Sequence, residues 1–347
     1  MARFICTLAP ASDITDRAAS RFREWLARGM HAGMEYLDRH HDLRLHPAGL
    51  LAGAKSVIAA AFPYIGAGEV NICPGIAAYA VGDDYHDVIR DYLSRIVAGW
   101  RDRAGGEWRI CIDSAPVPER FWAVKSGLAI PTRSGNVAVE GLGTKLFLAL
   151  MLTTLPPARA ARLLEESCGT DDDPGEKEGI FRGVRTGTPV DPEIMAETLC
   201  GECCRCLEAC PGKAICPGGV IDARRCLSYL TIEHRGAWTE PSARAVMHSP
   251  AGRRTLFGCD VCVRVCPLNT PVKAAVSPLE ALGPRREYIG LTPRKIADMT
   301  QEEFSATFRR SAIKRAKLAG LRRNALNCLR EDSPADDIRT PQIPSPQ

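Results

Sequence analysis

Apolar positions recur along the chain in two rhythms, and the rhythms divide it into elements. Tyr85, Val88, Ile89, Tyr92, Leu93, Ile96, Val97 and Trp100 step by three and by one in turn, as one face of an amphipathic helix must. Residues 55–62 are different: Val57, Ile58, Ala59, Ala60, Ala61 and Phe62 are apolar without a break, which predicts a strand buried on both faces. Before it, Phe22, Trp25 and Leu26 followed by Gly29 and Gly33 predict a helix and a turn. Residues 109–112 read as a short strand ending at Asp113, and 147–155 as a further apolar strand or a buried helix. Helix and strand patterns mixed in this way predict an α/β or α+β domain over residues 1–160.

Beyond it the rhythm fades. Residues 156–198 are charged and rich in Gly and Pro, with Asp171-Asp172-Asp173-Pro174-Gly175 in their midst, so 161–198 is expected to be an exposed loop or insertion. A cysteine-rich segment at 199–277 follows, then a basic helical region at 278–330 and a disordered tail at 331–347. The expected class is α+β, with an α/β N-terminal domain, a ferredoxin-like domain and a short helical C-terminal region.

Composition narrows the class. With 347 residues, 45% of them hydrophobic, the chain can bury a large core over two or three domains. A net charge of +4 selects neither nucleic acid nor membrane as partner, so charge has to be read locally. The first residues lack a basic stretch followed by an apolar core, and the longest apolar run, 146–152, is far short of a membrane span. A soluble, cytoplasmic protein that does not engage membranes is expected.

Fifteen cysteines are the strongest chemical signal. Seven lie between Cys200 and Cys226 and three between Cys259 and Cys266, a clustering that ordinary buried thiols do not produce. The run Cys200-x2-Cys203-x2-Cys206-x3-Cys210-Pro211 is the spacing of a 4Fe-4S site whose fourth cysteine serves a second cluster. Cys259-x2-Cys262-x3-Cys266-Pro267 repeats its latter part, with Cys226 between the two motifs. Crossed ligation follows: one cluster on Cys200, Cys203, Cys206 and Cys266, the other on Cys210, Cys226, Cys259 and Cys262. Zinc also uses paired Cys-x2-Cys, but eight thiolates with two Cys-Pro endings fit it poorly. Cys204 and Cys216 break the spacing and are read as bystanders. Cys6, Cys73, Cys111, Cys168 and Cys328 stand alone and are read as ordinary thiols.

Four further stretches carry a resemblance. Residues 25–37 (WLARGMHAGMEYL), 79–86 (YAVGDDYH), 113–120 (DSAPVPER) and 225–233 (RCLSYLTIE), with the ending Ser311-Ala312-Ile313-Lys314-Arg315 and Arg322-Arg323-Asn324-Ala325, together resemble the epoxyqueuosine reductase family in order and spacing. The resemblance runs from about residue 22 to 330. It implies a cobalamin-dependent enzyme with two 4Fe-4S clusters that reduces epoxyqueuosine to queuosine at the wobble position of a tRNA anticodon. It also implies a cobalamin domain akin to that of reductive dehalogenases. By the same resemblance Asp113 is the proton donor, and Tyr79, Asp113, Ser228 and Asp260 line the cobalamin pocket. His86 is read as a helix-face histidine rather than a cobalt ligand, because the family binds its cofactor without one. A donor Asp113 needs a carboxyl kept protonated near neutral pH, which burial would supply; the simpler role is capping the following turn.

Partners expected are the modified tRNA and a low-potential electron donor, with the chain a monomer. The basic residues Arg309, Arg310, Lys314, Arg315, Lys317, Arg322 and Arg323 suit phosphate contacts. The resemblance departs at 129–136, where the family has a Gly-Trp-Ile-Gly-Lys type segment and this chain has AIPTRSGN, with Arg133 in place to replace the lysine charge. Two alternatives stay open: a divergent cobalamin-dependent reductase of another substrate, and an electron-transfer protein with clusters but no corrinoid.

Overall fold

The computed structural model describes residues 2–64, 74–169, 178–184, 199–269 and 276–330. Its N-terminal part is built on a five-stranded sheet in the order β3-β6-β2-β1-β7, with β1 Ile5–Pro10, β2 Ser56–Pro63, β3 Trp108–Cys111, β6 Leu146–Thr153 and β7 Ile180–Val184. Neighbours are antiparallel except β1 and β7, which run parallel.

The unbroken apolar runs of β2 and β6 follow from their central place. Ile58, Ala60 and Phe62 join Ala149 and Met151 on one face, under helices α2 (Tyr85–Ala104) and α4 (Pro157–Ser167). Val57, Ala59 and Ala61 join Leu150 and Leu152 on the other, under helix α3 (Glu119–Lys125) with Trp122 and Val124. Alternate residues thus serve opposite cores, so neither face tolerates a polar side chain. The helix face expected over 85–100 is the one that is buried, through Ile89, Leu93, Ile96, Val97 and Trp100. Helix α1 (Asp16–Ala27) and the strand at 146–153 also follow the expectation.

The loop expected over 161–198 is corrected for its described part. Helix α4 buries Ala160, Ala161, Leu163 and Leu164. Strand β7 adds to the edge of β1 through Ile5 opposite Ile180 and Cys6 opposite Phe181. The first structural unit therefore reaches Val184 rather than residue 160. Residues 170–177, 185–198 and 331–347, and Cys73, lie outside the described residues.

The remainder has little sheet. Short helices Arg205–Ala209, Leu227–Ile232 and Val261–Arg264 carry the cysteine motifs. They rest on a C-terminal core of Tyr288, Phe304, Phe308, Ile313 and Leu321. The closing helix Lys317–Cys328 is locked to them by Asn324, whose amide donates to the carbonyls of Thr231 and Leu256, each at 2.8 Å. Among the described residues no helix is long and apolar enough to cross a membrane.

Candidate functional site

Three helix starts present the cysteine sulfurs. Helices Arg205–Ala209 and Val261–Arg264 pack against each other, which brings the Cys200–Cys210 run beside the Cys259–Cys266 run. The thiols of the two runs influence one another's ionisation. Burial first, then the charge of Cys200, pushes Cys206 up to about 11; burial raises Cys266 as well, with Cys200 and Cys203 adding to it. Cys262 is pushed up to about 12 by burial, then by Cys226 and Cys210 and more weakly by Cys206. Burial, offset by a backbone N–H and reinforced by Cys226 and Cys262, brings Cys259 to about 12.

Burial disfavours thiolates here and each thiolate opposes the ionisation of the next, a cost that iron offsets by binding them as thiolates. Among the described residues no three His, Cys, Asp or Glu side chains converge as ligands of one ion would. Backbone N–H groups already point at the sulfurs, from Ala214 to Cys210 at 3.2 Å and from Arg133 to Cys200 at 3.5 Å.

Asp113 lies across the sheet's end from these thiols, just beyond edge strand β3. Its backbone is left-handed, with φ +49°, and Ser114 N–H donates back to the Ile112 carbonyl, closing a three-residue turn around it. This fold-back aims the carboxylate at helix α2. The Tyr85 hydroxyl donates to Asp113 Oδ2 at 2.5 Å, and His86 Nε2 stands 3.4 Å from the same oxygen. His86 Nδ1 is 2.7 Å from Asp84, the residue whose carboxylate also caps α2. Both imidazole nitrogens are thus engaged.

Tyr79 and Asp260 meet nearby. Asp260 accepts the Ala78 N–H, and its charge, after burial, is what raises the Tyr79 hydroxyl well above an ordinary phenol, with Asp113 contributing next. Tyr79, Tyr85, Phe147 and Phe257 form an aromatic wall, Tyr85 stacking on Phe147 at 4.3 Å between centroids. Ser228 stands apart from Asp113: its backbone N–H faces the Cys226 sulfur. Its helix is tied to the Asp260 turn by the Thr231 hydroxyl, which accepts the Gly258 N–H at 3.0 Å. Phe147 and Phe257 are buried in the cores, so Tyr79 and Tyr85 are the rings of this group that keep exposed surface for a corrinoid to meet.

A family model described as "Epoxyqueuosine reductase QueG, DUF1730" matches residues 44–114, and one described as "4Fe-4S double cluster binding domain" matches 199–269. The chain is 33% identical to the epoxyqueuosine reductase of Cyclobacterium marinum, covering 92% of this chain and 90% of that one. It is 31% identical to the epoxyqueuosine reductase of Cellulophaga algicola, covering 92% and 91%. This chain belongs to the epoxyqueuosine reductase family. The fold agrees: the structure of the Streptococcus thermophilus epoxyqueuosine reductase superposes with a TM-score of 0.71 at 23% identity, over 93% of this chain and 76% of that one. So does an epoxyqueuosine reductase with a tRNA-Tyr epoxyqueuosine-modified stem loop, with a TM-score of 0.71 at 22% identity and the same coverage.

In this member of the epoxyqueuosine reductase family the charge state at Asp113 differs from the expectation. Burial favours a neutral carboxyl, but the hydrogen bonds from His86 and Tyr85 prevail and hold Asp113 below the ordinary aspartate range. Although protein crowds around it, 65% of its side-chain surface stays accessible, so the carboxylate is also solvated. Nor does it cap the next helix, whose N-cap is Pro118 without a side-chain bond.

The protons sit on its neighbours. Burial pulls His86 down, yet the hydrogen bonds to Asp113 and Asp84 more than offset this and bring it up to about 9. Glu119, one turn downstream, is pushed up to about 7 by burial and then by the negative charge of Asp113. Its Oε1 is buried with no hydrogen-bond partner. Sequence reasoning missed Glu119, and took His86 for a bystander. The 113–120 motif that singled out Asp113 did contain Glu119, but only folding shows which carboxyl is enclosed.

The basic C-terminal residues also divide. Arg322 donates to the carbonyls of Ala297 and Met299, while Arg323 donates to Leu230, His234 and Gly236 and stacks on Trp238 at 4.4 Å. Both are structural. Arg315 forms a two-pronged pair with Glu233, at 2.7 and 2.9 Å, and lies over the Tyr36 ring on the Asp113 side. Arg309, Lys314 and Lys317 stay exposed.

Proposed function

We propose that this chain reduces the epoxide of epoxyqueuosine in tRNA to the alkene of queuosine, in the cytoplasm. In this reading Cys200, Cys203, Cys206 and Cys266 hold one 4Fe-4S cluster, and Cys210, Cys226, Cys259 and Cys262 hold the other. Tyr79, Asp113, Ser228 and Asp260 border cobalamin. Bound there, these groups supply single electrons and a reduced cobalt centre.

The observation that carries the proposal is the proton arrangement around Asp113. Removing an epoxide oxygen as water takes up two electrons and two protons. Near neutral pH the site stores one proton on His86, in contact with Asp113 Oδ2, and Glu119 titrates there as a second reserve. Asp113 is the open end of this store, because its side chain alone of the three is mostly accessible. A proton moves from His86 Nε2 to Asp113 Oδ2 and on to the departing oxygen, and Tyr85 keeps that carboxylate aimed.

Phosphate partners for the tRNA are close at hand. A cleft of about 630 Å³ opens beside the turn at Ser114, rimmed by Arg90, Arg101 and Arg109. With Lys314 and Lys317 it supplies the positive surface that an RNA backbone requires.

The test is anaerobic turnover of epoxyqueuosine-containing tRNA by the cluster- and cobalamin-loaded chain, followed by nucleoside analysis. Queuosine is expected to replace epoxyqueuosine. A fully loaded chain that leaves epoxyqueuosine untouched would end this reading.

A further inference from the structure

One element of the N-terminal region touches both sets of cluster cysteines. It is the hairpin of β4 (Ile130–Pro131) and β5 (Val137–Ala138), in the segment where this chain departs from its relatives. Its tip is stiff. The Thr132 N–H donates to the Asn136 carbonyl at 2.9 Å, and the Thr132 and Ser134 hydroxyls bond at 2.8 Å. Gly135 turns the chain with φ +76° and lies so close to Gly219 that a Cβ would stand 2.5 Å from that carbonyl oxygen. Arg120, from the Asp113 motif, donates to the Gly135 carbonyl and ties the tip to the proton site.

From this tip the Arg133 N–H points at Cys200 Sγ at 3.5 Å. Its guanidinium lies 3.2 Å from the Cys203 carbonyl and 3.5 Å from Cys204 Sγ. Three residues on, the Asn136 amide reaches Cys262 Sγ at 3.9 Å. One cysteine set therefore receives a full positive charge and the other a neutral amide. Among the described residues no carboxylate pairs with Arg133, so its charge is not cancelled nearby.

We infer that Arg133 raises the reduction potential of the cluster held by Cys200, Cys203, Cys206 and Cys266, so that the hairpin sets the two clusters apart in potential. Reduction adds one negative charge to a cluster already surrounded by four thiolates. An N–H at the Cys200 sulfur and a cation at the Cys203 carbonyl and the neighbouring Cys204 sulfur stabilise that added charge, and charge, hydrogen bonding and exposure are what tune such potentials. Low dielectric strengthens the effect, because both groups are partly buried. In this inference Arg133 acts on the electron carrier through its contacts to the cysteine segment. The inference rests on the proposed ligand assignment.

The experiment is an anaerobic redox titration of both clusters by electron paramagnetic resonance, on the full chain with its iron content measured first. Arg133→Gln is expected to lower the midpoint of one cluster by about 59 mV, a tenfold change in its reduced-to-oxidised ratio for a one-electron couple. The other midpoint stays in place. Arg133→Lys keeps the charge and should hold the wild-type midpoint, and Asn136→Leu should move only the other cluster. Equal shifts in both clusters, no shift with Gln, or a Lys variant displaced as far as Gln would each overturn the inference. If the Gln variant loads no iron, Arg133→Met takes its place: a lowered midpoint for that one cluster upholds the charge effect and an unchanged one refutes it. A wild-type chain that binds no clusters would refute the ligand assignment first, before any midpoint is read.

Discussion

The cysteine region and the Asp113 site both prepare side chains for a demanding reaction, yet they are assembled in opposite ways. The cysteines fall in two short runs with Cys226 between them, on helices of four to six residues whose starts aim the sulfurs. Spacing alone almost fixes which thiols meet. The Asp113 site draws on Tyr85 and His86 at the start of α2, Glu119 on α3, and Arg315 with Tyr36 from opposite ends of the chain. In the first region chemistry follows from local geometry. In the second the residue types are local but their protonation is set by the tertiary structure.

Breaking the first region should have the largest effect. Cys266→Ala removes a proposed ligand whose thiol feels Cys200 and Cys203, although it is separated from them by more than sixty residues. The variant should lose the cluster of Cys200, Cys203 and Cys206 and with it all turnover, seen as halved iron and one missing paramagnetic signal. Loss of the Cys210, Cys226, Cys259 and Cys262 cluster instead would reverse the crossed assignment.

Asp113→Asn comes next. It keeps the shape and can still accept from Tyr85, but it cannot carry a proton outward, so turnover should fall by about 10²- to 10⁴-fold. Iron and cobalamin content should not change. Turnover within a few-fold of wild type at matched loading would remove Asp113 from the proton path.

The contrast also accounts for what the sequence allowed. Helix α2 and strands β2 and β6 were legible because their burial is regular, one stripe or two full faces. Helix α4 was not, because its short stripe of Ala160, Ala161, Leu163 and Leu164 was read together with the charged, Gly- and Pro-rich text that follows it. Strand β7, with Gly183 and Arg182 in five residues, becomes a strand only because β1 offers it a partner from the other end of the domain. The cysteine motifs were read directly from spacing. The importance of Asp113 was visible in its motif, but its protonation was not: burial pointed to a neutral carboxyl, and two hydrogen bonds from α2 reversed that. Arg322 and Arg323 show the same limit, as a run of charge that proved to be internal scaffolding.

The smallest effect expected is the most specific to the Asp113 site, and it concerns His86. Its folded value of about 9 lies above the ordinary 6.5, so it binds its proton more tightly folded than unfolded. The stabilisation is therefore complete below about pH 6.5 and is lost as pH rises through about 9. Asp84 and Asp113, the two carboxylates that face it, are depressed, so their share is present above pH 3.8 and is lost in acid. Neither titrates in the alkaline window; Glu119, at about 7, titrates at its lower edge in wild type and variant alike, so the difference between the two proteins reads His86. Because Asp113 is largely solvated, the alkaline loss should be only about 1–2 kcal/mol. Wild-type chain should lose that much unfolding free energy between pH 7 and 10 relative to His86→Gln, whose amide does not titrate. Turnover should follow the same limb, falling above pH 9 in wild type and staying flat in the variant at a lower level. Identical alkaline profiles for both proteins would mean that the proton at Asp113 comes from elsewhere, with Glu119 the remaining store.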